Sequence, residues 1–250
     1  NGTNLWVAVA KSGVLYSSSN GTTWTSRTSG FGTNNINDVA IGNGLWVAVG
    51  NNGTITTSTD GTTWTARTSN MNTNTIWAVA YANSVWVAVG DGGGATNNGG
   101  ITYSTDGLTW TRKSQTLTVG SAYTGVAWNG TNWIVGANVA TNNALYATTP
   151  SGTWTAVSTG SGSAIGQIFW DGTRHLTIEG GSFQTYYSTS TTLGTTTQMI
   201  LAHRARTYRN GVWYFYNSKL YVTNGAYFGT TDSLSSSAAK ISIPQFVPTN

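Results

Sequence analysis

Short runs in which nearly every residue is apolar alternate with Ser-, Thr-, Asn- and Gly-rich turns along the whole chain. Leu-Trp-Val-Ala-Val at Leu5–Val9 returns at Leu45–Val49, and as Val-Trp-Val-Ala-Val at Val85–Val89. Successive side chains of a strand point to opposite faces. Trp46 and Ala48 therefore face one way, and Val47 and Val49 the other. Both faces are apolar, the pattern of a strand buried between two layers rather than wet on one side. Trp6, Trp46 and Trp86 stand 40 residues apart. A fixed period of that size marks a repeat architecture with one supersecondary unit per period.

The second repeat shows the unit. Ile36–Ile41, Leu45–Gly50, Thr54–Ser58 and Trp64–Thr68 read as four strands, separated by turn chemistry at Gly42–Gly44, Asn51–Gly53 and Asp60–Gly61. Asp-Gly between strands is a strong hairpin signal because both residues tolerate positive φ. Second strands recur at Trp6, Trp46, Trp86 and Trp133, at His175–Ile178 after Asp171-Gly172, and at Trp213–Tyr216 after Asn210-Gly211. First strands begin near Ile36, Ile76, Tyr123, Ile165 and Leu201; the N-terminal copy has none. Lys240–Val247 is a spare strand-like segment at the other end. The expectation is an all-β, six-bladed β-propeller of four-stranded antiparallel blades of about 42 residues each, with the C-terminal strand completing the first blade and closing the ring. The single domain spans 1–250, with blades at 1–31 plus 240–250, 32–72, 73–117, 118–160, 161–200 and 201–239. A chain starting at Asn1 without Met is expected to be a fragment, a processed form or the ordered part of something longer; the alternative for a truncated chain is seven blades.

Four of the repeats carry a hairpin signature between their third and fourth strands: Ser18 to Trp24, Ser58 to Trp64, Ser104 to Trp110, and a worn copy from Thr149 to Trp154. These resemble the Asp-box, or bacterial neuraminidase repeat, Ser-x-Asp-x-Gly-x-Thr-Trp, but are one residue shorter, with Gly directly after Asp or Asn. The pattern is absent from Ser188–Thr197 and Thr223–Ser233. The Asp or Asn oxygen accepts N–H groups of its own turn, and the Trp covers the hairpin. These carboxylates are thus read as structural. The fuller repeat resembles those of phage tail-fibre proteins and bacterial surface proteins. That resemblance covers most of residues 1–160 and implies a virion or cell-surface location.

Only 7% of residues are charged, about a quarter of the usual ~25%, so hydroxyls and amides carry the surface. Eleven basic residues against seven acidic ones give +4; they are scattered, which argues against nucleic-acid binding. The absence of cysteine removes disulfides, thiolate metal sites and Cys nucleophiles. No apolar stretch approaches the ~18 residues of a membrane-spanning helix.

Chemistry is sparse. His175 and His203 are the two histidines, and with no Cys and few acids no transition-metal site or cofactor is expected. Glu179 is the single Glu. Asp91, Asp232 and Glu179 are the carboxylates free of turns and strands, and Asp91 with Glu179 is the pair a glycosidase reading would need. The loop Asp91–Gly100 holds oxygen ligands, but one carboxylate is a thin supply for Ca²⁺. His203, Arg204 and Arg206 cluster on a first strand, where Arg204 and Arg206 share a face and suit an anion. Arg27, Arg67 and Arg112 read as edge-strand charges that discourage sheet aggregation. In a four-stranded meander the first and third turns lie at one end, and the second loops and the crossings between blades at the other. That second end is irregular and carries Phe31, Met71, Asp91, Asn97, Asn98 and Tyr123. Irregular loops on a rigid scaffold are where function concentrates. The expectation is a non-enzymatic recognition module that binds a surface glycan or host receptor through this end, among other proteins of a virion or surface assembly, without nucleic-acid or membrane partners. The alternatives are a glycoside hydrolase or lyase, and a structural scaffold that binds proteins. A homo-oligomer suits a fibre, although no coiled coil is present.

Overall fold

The computed structural model describes residues 5–93, 99–113, 122–179, 185–194 and 196–199, and the strands 204–209, 212–216 and 220–223. Within them the chain is all-β apart from a 3-10 turn at Asn51–Gly53. The first sheet has three strands, β1 (Trp6–Val9), β2 (Leu15–Ser18) and β3 (Thr25–Arg27). The second is a meander of β4 (Ile36–Gly42), β5 (Leu45–Gly50), β6 (Ile55–Ser58) and β7 (Thr65–Arg67). The third runs through β8 (Ile76–Ala82), β9 (Val85–Asp91), β10 (Gly99–Ser104) and β11 (Thr111–Lys113). The fourth consists of β12 (Tyr123–Trp128), β13 (Trp133–Ala137), β14 (Ala144–Ala147) and β15 (Thr155–Val157). The fifth follows as β16 (Ile165–Trp170), β17 (His175–Glu179), β18 (Thr185–Ser188) and β19 (Thr197–Met199). A last sheet of three strands holds β20 (Arg204–Arg209), β21 (Val212–Tyr216) and β22 (Leu220–Thr223). All pairings are antiparallel between sequence neighbours, as short turns require.

The two-sided apolar strands do what their pattern predicts. Val47 and Val49 pack with Trp86, Ala88 and Trp110 of the following sheet. Val87 and Val89 pack in turn with Trp133 and Trp154. These two seams are thus cores, each built from the Val face of one sheet and the Trp-bearing face of the next. First strands lie beside one another in the order β4, β8, β12, β16. In the first sheet the Trp/Ala face has no preceding sheet among the described residues. Trp6 and Trp24 are 39% and 40% exposed there, whereas Trp86 and Trp110 are 1% and 2%.

First strands also share a β-bulge. The ladder skips Asn37 in β4, Trp77 in β8, Thr124 in β12 and Gly166 in β16, at the same place in each. In β20 the skip falls at Arg206, nearer the turn. A bulge bends its strand and re-aims one side chain. The expected strand at Lys240–Val247 lies outside the described residues, and those residues do not close the sheets into a ring.

Candidate functional site

The loop-bearing end of the sheets is where the bulged residues act. Asn37 Nδ2 donates to Asn51 Oδ1 at 3.1 Å and to the Ile76 carbonyl of the next first strand at 2.9 Å. Thr124 Oγ1 donates to the Ile165 carbonyl, bridging the corresponding seam two sheets on. Trp77 occupies the same register but has no amide or hydroxyl with which to bridge. Its Nε1 donates to Asp91 Oδ1 at 2.8 Å, within its own sheet. The indole remains 41% exposed. Asp91 is fixed in turn: its N–H donates to the Thr75 carbonyl at 2.8 Å, and it forms a bridge with Ala122 on the crossing to the fourth sheet. Arg112 reaches round to the Gly92 carbonyl. The result is an aromatic plate locked to a carboxylate, with the Asn37–Asn51 amide pair on the neighbouring sheet.

Three expected contact residues sit elsewhere. Phe31, Met71 and Tyr123 are 2%, 0% and 0% exposed, so their side chains face protein and not ligand. For Phe31 and Met71 the reason is the crossing, where the chain passes from one outer strand to the next inner strand and plugs the end of the seam; Tyr123 opens β12, and its ring lies against Gly99 of the third sheet. Ser29 Oγ accepts the Phe31 N–H and donates to the Gly13 carbonyl, and Ser69 Oγ accepts the Met71 N–H. Any Cβ at Gly99 would overlap the Tyr123 ring, and one at Gly100 would overlap Met71. Burial pushes the Tyr123 hydroxyl up to about 12, and it finds no hydrogen-bond partner. Asn97, Asn98, His203 and Asp232 lie outside the described residues. Arg204 and Arg206 belong to β20, with Arg206 at its bulge.

Sequence reading missed Trp77 and Asn37. Aligned on their bulges, the repeats carry Asn37, Trp77, Thr124 and Gly166 at one position, and an indole among polar or small residues is the signal that was there.

At the opposite end, the short hairpins keep their carboxylates busy. Asp60 Oδ1 accepts the N–H groups of Thr62 and Thr63, both at 2.8 Å, and the Ser58 hydroxyl at 2.9 Å. Asp106 does the same with Leu108, Thr109 and Ser104. Donation from the Thr63 N–H, above all, pulls the Asp60 carboxyl below its usual range. The N–H groups of Thr109 and Leu108 lower Asp106 to about 2. The fifth sheet retains half of the device, with Ser190 N–H on Ser188 Oγ and no carboxylate.

Asp38 lies in the seam between β4 and β8, where it accepts the N–H groups of Val39 at 2.8 Å and Val79 at 2.9 Å. Burial outweighs those bonds and raises its carboxyl to about 6. Among the described residues no three His, Cys, Asp or Glu side chains gather as a metal site, and no helix is long and apolar enough to cross a membrane.

No protein-family description matches the chain. No curated protein matches it by sequence. Solved structures do match in fold. YCF48 from Cyanidioschyzon merolae superimposes with a TM-score of 0.63 at 15% identity, covering 88% of this chain and 78% of that one. YCF48 bound to D1 peptide gives 0.58 at 16%, covering 84% and 70%. Virginiamycin B lyase from Staphylococcus aureus gives 0.64 at 13%, covering 84% and 75%. A chain of the nidogen/laminin complex gives 0.62 at 10%, covering 84% of each chain. These neighbours are β-propellers, and the likeness supports a propeller fold for this chain.

Proposed function

We propose that this chain is a non-enzymatic recognition module that binds a glycan at the loop-bearing end of its sheets, on a virion or cell surface. One observation carries the reading: the Trp77 indole is held by Asp91 and still offers a large exposed surface. A fixed aromatic plate beside a carboxylate and amides suits the apolar face and the hydroxyls of a sugar ring, and little ordering cost is left for binding. The ring is proposed to close on six blades. The exposed Trp6 and Trp24 face is the surface on which the last sheet would pack, with Lys240–Val247 as the missing inner strand of the first sheet.

A glycan array with the full chain and its Trp77→Ala variant tests the reading. Binding by the parent and loss in the variant is expected. An unaltered array profile for Trp77→Ala overturns it. A bound protein segment is the second reading, favoured by the propeller solved with D1 peptide on it; a pull-down that needs Trp77 while the array stays blank decides for it.

A further inference from the structure

A cleft of about 410 Å³ crosses the seam between the second and third sheets at the end that carries the short hairpins, away from Trp77. Its volume falls in the range of ligand-binding clefts. Asp60 and Asp106 come from the hairpins of consecutive sheets, and Arg67 from the outer strand β7. Each charge is anchored by its own element. Arg67 donates through Nε to Thr57 Oγ1 at 2.9 Å, and the two carboxylates are gripped by their turns. Among the described residues, neither carboxylate is within ion-pair distance of Arg67; the ion pair seen is Arg174 with Asp171. Charges of both signs therefore line one cleft without neutralising each other.

We propose that this cleft is a second ligand site, separate from the loop-bearing end, and that it takes a neutral saccharide. A sugar hydroxyl accepts from a guanidinium and donates to a carboxylate at once, which matches acceptors and donors held apart. Thr63 and Thr65 add hydroxyls of both capacities, and Leu108, 42% exposed, offers an apolar contact for a ring face. Two carboxylates against one guanidinium repel anions, so sialylated, sulfated and phosphorylated ligands are excluded. The turn bonds keep both carboxylates ionised at neutral pH. Because the turns are rigid before binding, little ordering cost remains.

The test is a titration of amide resonances of the full chain with glucose, galactose, mannose, N-acetylglucosamine and lactose at millimolar concentration, and with N-acetylneuraminic acid as the anionic counterpart. At least one neutral sugar is expected to shift the amides of Thr63, Thr65 and Leu108, and N-acetylneuraminic acid to leave them in place. Arg67→Gln and Asp106→Asn should each weaken that response by about tenfold, the worth of one charge-assisted hydrogen bond. The Asn20 turn makes the same backbone bonds, so Asp106→Asn keeps the hairpin. Trp77→Ala should not alter these shifts, which separates this site from the loop-end reading. Groove amides that stay still with every neutral sugar, that move with the anion, or that respond unchanged in both variants overturn the proposal.

Discussion

Asn129 Nδ2 donates to Nε2 of the buried His175 at 3.2 Å, and through that bond the fourth sheet holds the fifth. The same amide donates to the Thr191 carbonyl at 2.6 Å, while its oxygen takes the N–H groups of Thr131 and Asn132. The amide cannot turn round without breaking all of these. His175 stands where the other sheets have Trp46, Trp86 and Trp133, and packs against Trp170 with ring centres 4.6 Å apart and planes tilted by 53°, as Trp133 packs against Trp128 at 52°. Burial lowers its pKa to about 4, against upward pulls from the Ser190 backbone and Asp171. Above pH ~6.5 the ring is neutral in folded and unfolded chains alike. Between about 6.5 and 4 only the unfolded chain takes the proton, so His175 should withdraw stability as pH falls, by about 3 kcal/mol across that window.

Asp38 pulls the other way. Its folded pKa of about 6 lies above the ordinary carboxyl value of 3.8. Between those values the folded chain binds the proton first, and stability is gained as pH falls, again by about 3 kcal/mol. The parent should therefore show a nearly flat denaturation midpoint from pH 6 to pH 4. Asp38→Asn should unmask the His175 loss as a midpoint that drops through that window, and His175→Trp should give a midpoint that rises. Chemical denaturation at stepped pH checks both; parallel curves for parent and Asp38→Asn would show that the Asp38 carboxyl does not titrate there.

In the hairpins, Asp60→Ala leaves the Thr62 and Thr63 N–H groups to water, and we expect a loss of about 1 kcal/mol. Asp60→Asn should cost a few tenths at most, because Asn20 makes the same bonds at 2.9 and 2.8 Å in the first sheet. The lowered carboxyl adds a pH signature. Its contribution is present above the unfolded pKa near 3.8 and fades as pH falls below it, so the Asp60→Asn midpoint should approach the parent's in acid. Equal destabilisation by Ala and Asn would show that the turn bonds are not what the residue supplies.

What the sequence disclosed and what it hid follow from the same physics. The two-sided apolar strands at Leu45–Gly50 and Val85–Val89 define both a strand and its two neighbours, so the seams were readable from alternation alone. His175 was visible as the fifth second strand because Asp171-Gly172 marks the turn before it. Phe31 and Met71 were misplaced because they stand in polar crossings, where local pattern predicts solvent; their burial comes from the sheet that arrives afterwards. Trp77 was hidden for the opposite reason. It sits in an apolar strand and reads as core, and only the bulge, a property of pairing between β8 and β9, turns it out.

Met71 fills the seam between the second and third sheets. Its side chain is fully buried among Val47, Val49, Ile55 and Ile76. Met71→Ala should cost about 2–5 kcal/mol by emptying the seam, and Met71→Leu less than about 1.5. Ligand binding by the folded fraction should be the same in both variants. A Met71→Ala chain that keeps the parent's stability and loses binding would return this residue to the ligand surface.

Trp77 should show the reverse behaviour. The indole is largely clear of the cores, so replacing it with Asn, the residue at the matching bulge in β4, should change stability by no more than about 1 kcal/mol. Asn37 already shows that an amide fits this register, with donors to both its own sheet and the next. Binding at the loop end should fall by at least about tenfold, since an aromatic anchor typically carries more than 1 kcal/mol. Asp91→Asn keeps an acceptor for the indole N–H and removes the charge. It should leave the plate in place while weakening ligand hydroxyl contacts by several-fold. Calorimetric titrations of the two variants separate plate from carboxylate. If Asp91→Asn binds as the parent does while Trp77→Asn is silent, the ring face alone recognises the ligand.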